Sequence, residues 1–455
     1  MMLRTLFESE SAAAARVRNV TAALLLALST GCAVDGGRGA DTAPQWVAAD
    51  RPSSSEAERI VGVRRVQVST DGAEPSVAAA ADGAVYVAWV AHRPGKEADV
   101  WLSRFDREGV LSGDAVRVNP ADGEATAWRG DPPDVAVAPD GTVYVAWTAR
   151  AVGAEHATTL YLSASRDGGR SFGSPVRVND DARACVHGMH SLALGGDGRV
   201  YVAWLDERDL VPPQEMSHTG GQEGAVKASA GMHGEQNRAV YFAASSDGGR
   251  TFSPNRRVAN EACPCCKTAV VVSGGGRVYV GWRQVLPGDF RHVAVAASDN
   301  GGETFEAPTV VSDDRWELRG CPVSGPALAA GEGGALRVLW YTAGEAGAPG
   351  LYSAESADGG RTFGPRRALA EGSLRGSPLL LRDGRGLAFA VYEGAGESVS
   401  RGLWRVRLGE GTGDAEGASP VAVGESASAA TGGERLNVAY VAQGGVWLAQ
   451  TDGFQ

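Results

Sequence analysis

A short apolar segment returns along the chain at intervals that call for a repeat architecture. It reads Val-Tyr-Val-Ala-Trp at 85–89, 143–147 and 200–204 and Val-Tyr-Val-Gly-Trp at 278–282, with weaker copies ending at Trp340, Tyr392 and Tyr440. The seven copies are spaced between 48 residues (392 to 440) and 78 residues (204 to 282), the size of a supersecondary unit that stacks on its neighbours. Each alternates at period two and follows an apolar run joined to it by Asp82-Gly83, Asp140-Gly141, Asp197-Gly198 or a Gly-rich equivalent. That is a β-hairpin signature. The 63 glycines and 43% apolar content suit many tight turns around a large core, so an all-β chain is expected.

Four copies carry a second motif after the hairpin, at Ser165 to Phe172, Ser245 to Phe252, Ser298 to Phe305 and Ser356 to Phe363. The pattern is Ser-x-Asp-Gly-Gly-x-Thr-Phe, with Asn300 replacing Asp in the third copy and Ser171 replacing Thr in the first. The side-chain oxygen of Asp167, Asp247, Asn300 or Asp358 can accept backbone N–H bonds across the turn, and the glycines allow positive φ. The Phe then staples the turn to its sheet. This element resembles the Asp box (BNR repeat) of the sialidase-like β-propeller superfamily, in which it is structural. The resemblance implies a β-propeller, here of seven four-stranded blades; six is the alternative, because catalytic sialidases have six. Copy seven is one strand short after Val446 to Gln450, and 63–69 is similar to the fourth strands at 116–119 and 176–179. An N-terminal strand is therefore expected to close the ring and remove its exposed edges.

Arg16 and Arg18 precede the apolar run Ala22 to Leu28 and the small residues before Cys32, the order of an export signal too short to span a bilayer. The end of this segment resembles a bacterial lipoprotein signal. The resemblance implies a signal peptide at 1–31, membrane lipid attached through Cys32, and an extracytoplasmic place in the periplasm or outer membrane, with plain secretion as the alternative. Residues 32–60 then read as a flexible tether and 61–455 as the propeller. A net charge of −11 with no Lys/Arg-rich run removes nucleic acid as a partner.

Cys185, Cys263 and Cys321 share one offset, nineteen residues before Trp204, Trp282 and Trp340. That offset falls in the loop entering the innermost strand, at the expected channel mouth. His187, Met189 and His190 follow the first cysteine, and Cys265, Cys266 and Lys267 follow the second. A blade-three insertion at about 206–237 brings Met216, His218, Met232 and His233 toward the same face. Thiolate, imidazole and thioether are the donors of Cu(I) above all and Zn(II) next. The expected function is a copper or zinc site built on Cys185, His187, His190, Cys263, Cys265, Cys266 and Cys321, with the methionines and remaining histidines as further donors and a metal-delivery protein as partner. Disulfides that leave one of these five cysteines unpaired, in an interaction scaffold, are the first alternative. A redox-active Cys265–Cys266 pair is the second.

The sialidase resemblance implies a further rival, an exo-glycosidase or glycan-binding protein. Sialidases use three arginines on the substrate carboxylate, a Tyr–Glu nucleophile pair and an Asp acid/base. Arg129, Arg319 and Arg375 stand in Arg-Gly-x-Pro segments near the starts of inner strands, and Asp131 can serve as the acid. However, Glu74-Pro75-Ser76 stands where the family has Arg-Ile-Pro, and Tyr392-Glu393 ends a hairpin strand, so the catalytic motifs are not matched.

Overall fold

The computed structural model describes residues 60–451 except 96, 152–155, 211–235, 384, 396–401 and 410–414. The expected signal peptide, Cys32 and its tether as far as residue 59, and Met216, His218, Met232 and His233 lie outside the described residues. Within them every strand pairing is antiparallel, there is no α-helix, and a 3₁₀ turn stands at Glu332–Gly334.

The repeated segment is the second strand of each of seven four-stranded units: Val85–His92, Val143–Arg150, Val200–Asp206, Val278–Leu286, Leu336–Thr342, Ala388–Gly394 and Arg435–Ala442. The first strands are Gly72–Ala79, Asp134–Val137, His187–Leu194, Ala269–Val272, Ala327–Ala330, Arg375–Arg382 and Glu425–Gly432. Units one and two share a nine-stranded sheet through the short strand Ala125–Thr126, and units three and four share an eight-stranded sheet where Ala262 pairs with Gln284. In unit seven the fourth strand is Val63–Ser69, which runs antiparallel to Gly445–Thr451 with Val63 opposite Thr451 and Ser69 opposite Val446.

Period-two alternation gives each second strand two apolar faces, and each face serves a different neighbour. Val85, Val87 and Trp89 join Ala439, Val446 and Leu448 of unit seven, while Tyr86, Ala88 and Val90 join Val143, Val145 and Trp147 of unit two. The same division recurs at every step. One apolar cluster lies between each successive pair of units, and the seventh lies between units seven and one. Burial on both faces is why these strands read as continuous apolar runs. The tryptophans that close them keep their indole N–H satisfied: Trp89 donates to Ser103 Oγ (3.0 Å), Trp147 to Ser163 Oγ (3.0 Å) and Trp340 to Asp314 Oδ2 (2.6 Å).

The four Ser-x-Asp/Asn-Gly-Gly turns share one bonding pattern. Ser165 Oγ donates to Asp167 Oδ1 (2.7 Å), which also accepts the N–H groups of Arg170 and Ser171, both at 2.9 Å. Gly169 N–H donates to Ser165 Oγ (2.7 Å). Its φ is 80°, and a Cβ there would meet Leu102 of the preceding unit at 2.8 Å, so the turn docks across the unit boundary. In the third copy Asn300 Oδ1 accepts Thr304 N–H (3.0 Å), and its amide donates to Thr304 Oγ1 (2.9 Å) where the aspartates accept a hydroxyl.

These bonds hold the carboxyls of Asp167, Asp247 and Asp358 well below the usual range, foremost the hydroxyl four residues on, that of Ser171, Thr251 and Thr362 respectively. A carboxyl with a lowered folded-state pKa contributes stability that is present above its unfolded value near pH 4 and lost as pH falls through that range. Thermal unfolding followed by circular dichroism is therefore expected to shift downward below about pH 4. At neutral pH, Asp247→Asn should unfold within about a degree or two of the wild type, because Asn300 already performs this role, whereas Asp247→Ala should unfold earlier.

Candidate functional site

Four of the cysteines converge where units three, four and five meet. Strand Arg256–Ala262 runs into Cys263-Pro264-Cys265-Cys266, which turns into Ala269–Val272, and Cys321 comes from the segment ahead of Ala327–Ala330. The four Sγ atoms lie within 4.8 Å of one another. Cys263 Sγ is 3.8 Å from Cys265 Sγ and 3.4 Å from Cys266 Sγ. Cys265 and Cys321 are joined as a disulfide, while Cys263 and Cys266 are buried thiols.

The loop is held on all sides. Cys263 N–H donates to Arg283 O (2.8 Å), Thr268 N–H to Met189 O (3.0 Å), and Lys267 Nζ reaches Asp134 Oδ1 (2.7 Å) in unit two. Gly325 must be glycine, since a Cβ there would stand 2.0 Å from Lys267 O. Met189, Ala262, Trp282 and Val285 supply the apolar surroundings. The hydrogen bond from Cys266 lowers the pKa of Cys263 against its burial, helped by the charges of Arg291 and Arg283 and by Cys265 N–H. Burial, then the bond to Cys263, pushes Cys266 up. The pair thus favours one thiolate and one thiol, with the anion on Cys263.

Cys185 belongs to a different cluster, and this corrects the expectation of one site on all five cysteines. It stands with Asp181 and His187: His187 Nε2 is 2.9 Å from Asp181 Oδ1 and 3.7 Å from Cys185 Sγ. His187 Nδ1 faces Thr158 O at 2.5 Å, so both ring nitrogens are engaged. The shared offset of Cys185, Cys263 and Cys321 marks the same place in three successive units, and equivalent places in neighbouring units need not touch. Unit three also enters its first strand irregularly, with a register shift between Gly188 and Ser191 and Met189 at φ 54°. Burial, followed by the charges of Asp206, Asp181 and Glu207, pushes the Cys185 thiol up to about 12, so it remains protonated at neutral pH.

His190 is likewise separate from the sulfur cluster. Its Nδ1 lies 3.1 Å from Asp131 Oδ1 and its Nε2 3.2 Å from Ala146 O. The Cys265–Cys321 bond also replaces the expected Cys265–Cys266 redox pair, and three described cysteines rather than one are left unpaired.

The arginines and acid of the glycosidase alternative occupy dissimilar settings. Arg129 Nη2 donates to buried Glu393 (2.9 Å) and Nη1 to Glu425 (3.4 Å), linking unit two to units six and seven. Arg375 is paired in strand register with Glu393. Arg319 is largely exposed, 3.8 Å from Glu317. Asp131 is buried, and although burial raises its pKa, the charge and hydrogen bond of His190 and the charge of Lys267 bring it below the ordinary value.

Glu393, Asp181, Arg283 and Arg291 were not among the sequence candidates. Glu393 was visible only as the neighbour of Tyr392 at the end of a hairpin strand, and Arg283 as a charged residue directly after Val-Tyr-Val-Gly-Trp in a strand buried on both faces.

No family model matches the chain, and no curated protein does. Among solved structures, a protein of unknown function from Dyadobacter fermentans DSM 18053 is similar at 15% identity, covering 87% of this chain and 100% of its own, with a TM-score of 0.49. The polysaccharide lyase Uly1 is similar at 11% identity over 83% of this chain and 89% of its own, TM-score 0.48. The Hadza microbial sialidase Hz136 is similar at 12% identity over 79% of this chain and 74% of its own, TM-score 0.47.

Proposed function

We propose that the chain is a seven-bladed, lipid-anchored extracytoplasmic propeller whose junction of units three to five binds a soft or borderline metal ion, copper or zinc, through Cys263, Cys265, Cys266 and Cys321. The apolar cluster between units seven and one and the pairing of Val63–Ser69 with Gly445–Thr451 support the closed ring. The observation that carries the metal reading is the convergence of four sulfurs within 4.8 Å. A tetrahedral thiolate centre with metal–sulfur bonds of about 2.3 Å has sulfurs about 3.8 Å apart. The 3.8 and 3.4 Å separations around Cys263 are close to that edge. Metal binding requires the reduced state, in which the Cys265–Cys321 bond has taken up two electrons and two protons from a dithiol.

A glycan-directed reading is the second, favoured by the cluster of Arg129, Glu393 and Glu425 that joins three units around one guanidinium. Such a group of buried carboxylate and cation can recognise a sugar acid.

Two measurements test these readings. Elemental analysis of full-length protein reduced with dithiothreitol and exposed to Zn(II) or Cu(I) should find tightly held metal. Cys263→Ser should lose it and Cys185→Ser should keep it; no retained metal in the wild type overturns the metal reading. Release of fluorophore from a sialoside that is abolished by Glu393→Gln would support the glycan reading, and neither hydrolysis nor binding of sialosides by the wild type would overturn it.

A further inference from the structure

Two guanidinium groups are buried beside the cysteine centre without a carboxylate. Arg283 lies in Val278–Leu286 and is 0% exposed; Arg291 lies across the hairpin in Phe290–Ser298 and is 2% exposed. Arg283 donates from Nε to Ser324 O and from Nη2 to Tyr341 O, both at 2.9 Å, and its guanidinium stands 5.1 Å from the Trp316 ring centroid. Arg291 donates from Nε to Leu318 O at 3.2 Å. The Nη1 atom of each has no hydrogen-bond partner, and neither forms an ion pair among the described residues. Carbonyl oxygens solvate a cation in part but leave its charge in place, and an uncompensated buried charge is among the most costly features a fold can hold.

The cysteines are nearby groups able to supply negative charge. Cys263 is the backbone partner of Arg283, and the charges of both arginines act on its sulfur; that of Arg283 also acts on Cys266. Asp314, two residues before Trp316, is already held by Arg366. Within the centre Cys266 Sγ donates to Cys263 Sγ at 3.4 Å. Such bonds stabilise the charged form of sulfur and orient it.

We infer that the centre is built for one divalent ion held as a tetrathiolate, with Arg283 and Arg291 as its two internal counter-cations. This rests on the metal reading above and narrows it. Four thiolates and a divalent ion carry a net charge of −2, which two guanidinium groups cancel. One monovalent copper on four thiolates leaves −3, and on two thiolates −1. The balance therefore selects zinc or another divalent ion of tetrahedral preference over a single Cu(I). With all four positions taken by sulfur the site is closed, which makes it a clamp on units three to five rather than a site that turns over substrate.

The test uses full-length protein, reduced with dithiothreitol and freed of the reductant under anaerobic conditions. Co(II) should bind one per chain with the visible d–d and sulfur charge-transfer bands of a tetrahedral tetrathiolate, and Zn(II) should displace it. Replacing Arg291 by methionine should weaken Zn(II) binding by about tenfold or more, while Arg291→Lys should stay within about threefold of the wild type, since it keeps the charge. If Arg291→Met does not fold, the wild-type stoichiometry and spectrum still decide. Preferential uptake of two Cu(I) per chain, or a Co(II) spectrum with fewer than four sulfurs, overturns the inference and leaves the metal reading standing. So does unchanged Zn(II) affinity in a folded Arg291→Met variant. Failure of the reduced wild type to bind any of the three ions removes both.

Discussion

The structure depends on second strands that are apolar on both faces. A strand of this kind cannot satisfy itself within one unit: Val85, Val87 and Trp89 need unit seven, and Tyr86, Ala88 and Val90 need unit two. Burying one such side chain contributes roughly 1.5–3 kcal/mol, so a second strand exposed on one face would give up several times that amount. Each unit therefore gains stability by packing between two others, and units seven and one share one of these apolar clusters. Val63–Ser69 adds hydrogen bonds to Gly445–Thr451 beside that cluster.

This economy also explains where chemistry can reside. The faces of the units are consumed by packing, and the four Ser-x-Asp/Asn-Gly-Gly turns are tied up in docking against the unit before. Among the described residues, the segments that lead into the first strands carry several of the candidate functional side chains. Cys263, Cys265, Cys266 and Cys321 lie in two such segments, and Arg129 with Asp131 lies in a third. Their neighbours across the molecule, rather than those along the chain, decide what each can do.

That distinction sets how much the sequence could reveal. The hairpins were legible because period-two alternation is a local property, and the four turns were legible because their bonding partners lie within four residues. The adjacency of Cys263, Cys265 and Cys266 was equally local. The equal offset of Cys185 misled, because an offset measures position within a unit and says nothing about contact between units. Asp181 and His187 claim Cys185 through a turn that no repeat encodes. Glu393 lies 264 residues from Arg129 in the chain, and no pattern in a single sequence joins them.

Arg283 illustrates the remaining limit and the physical reason for it. One arginine after a repeated apolar segment reads as the end of the strand, where a long side chain escapes to water. Here it cannot escape, because unit five covers it with Ser324 and Tyr341. A cation in that position makes sense only if its surroundings supply an anion, and the disulfide form of the centre offers at most the Cys263 thiolate against two guanidinium groups. The reduced, metal-bound form proposed above would offer two negative charges. The two states thus differ in how well the interior is neutralised, so reduction and metal uptake, if they occur as proposed, should be felt in the packing of units three to five and, through the Lys267–Asp134 ion pair, in unit two.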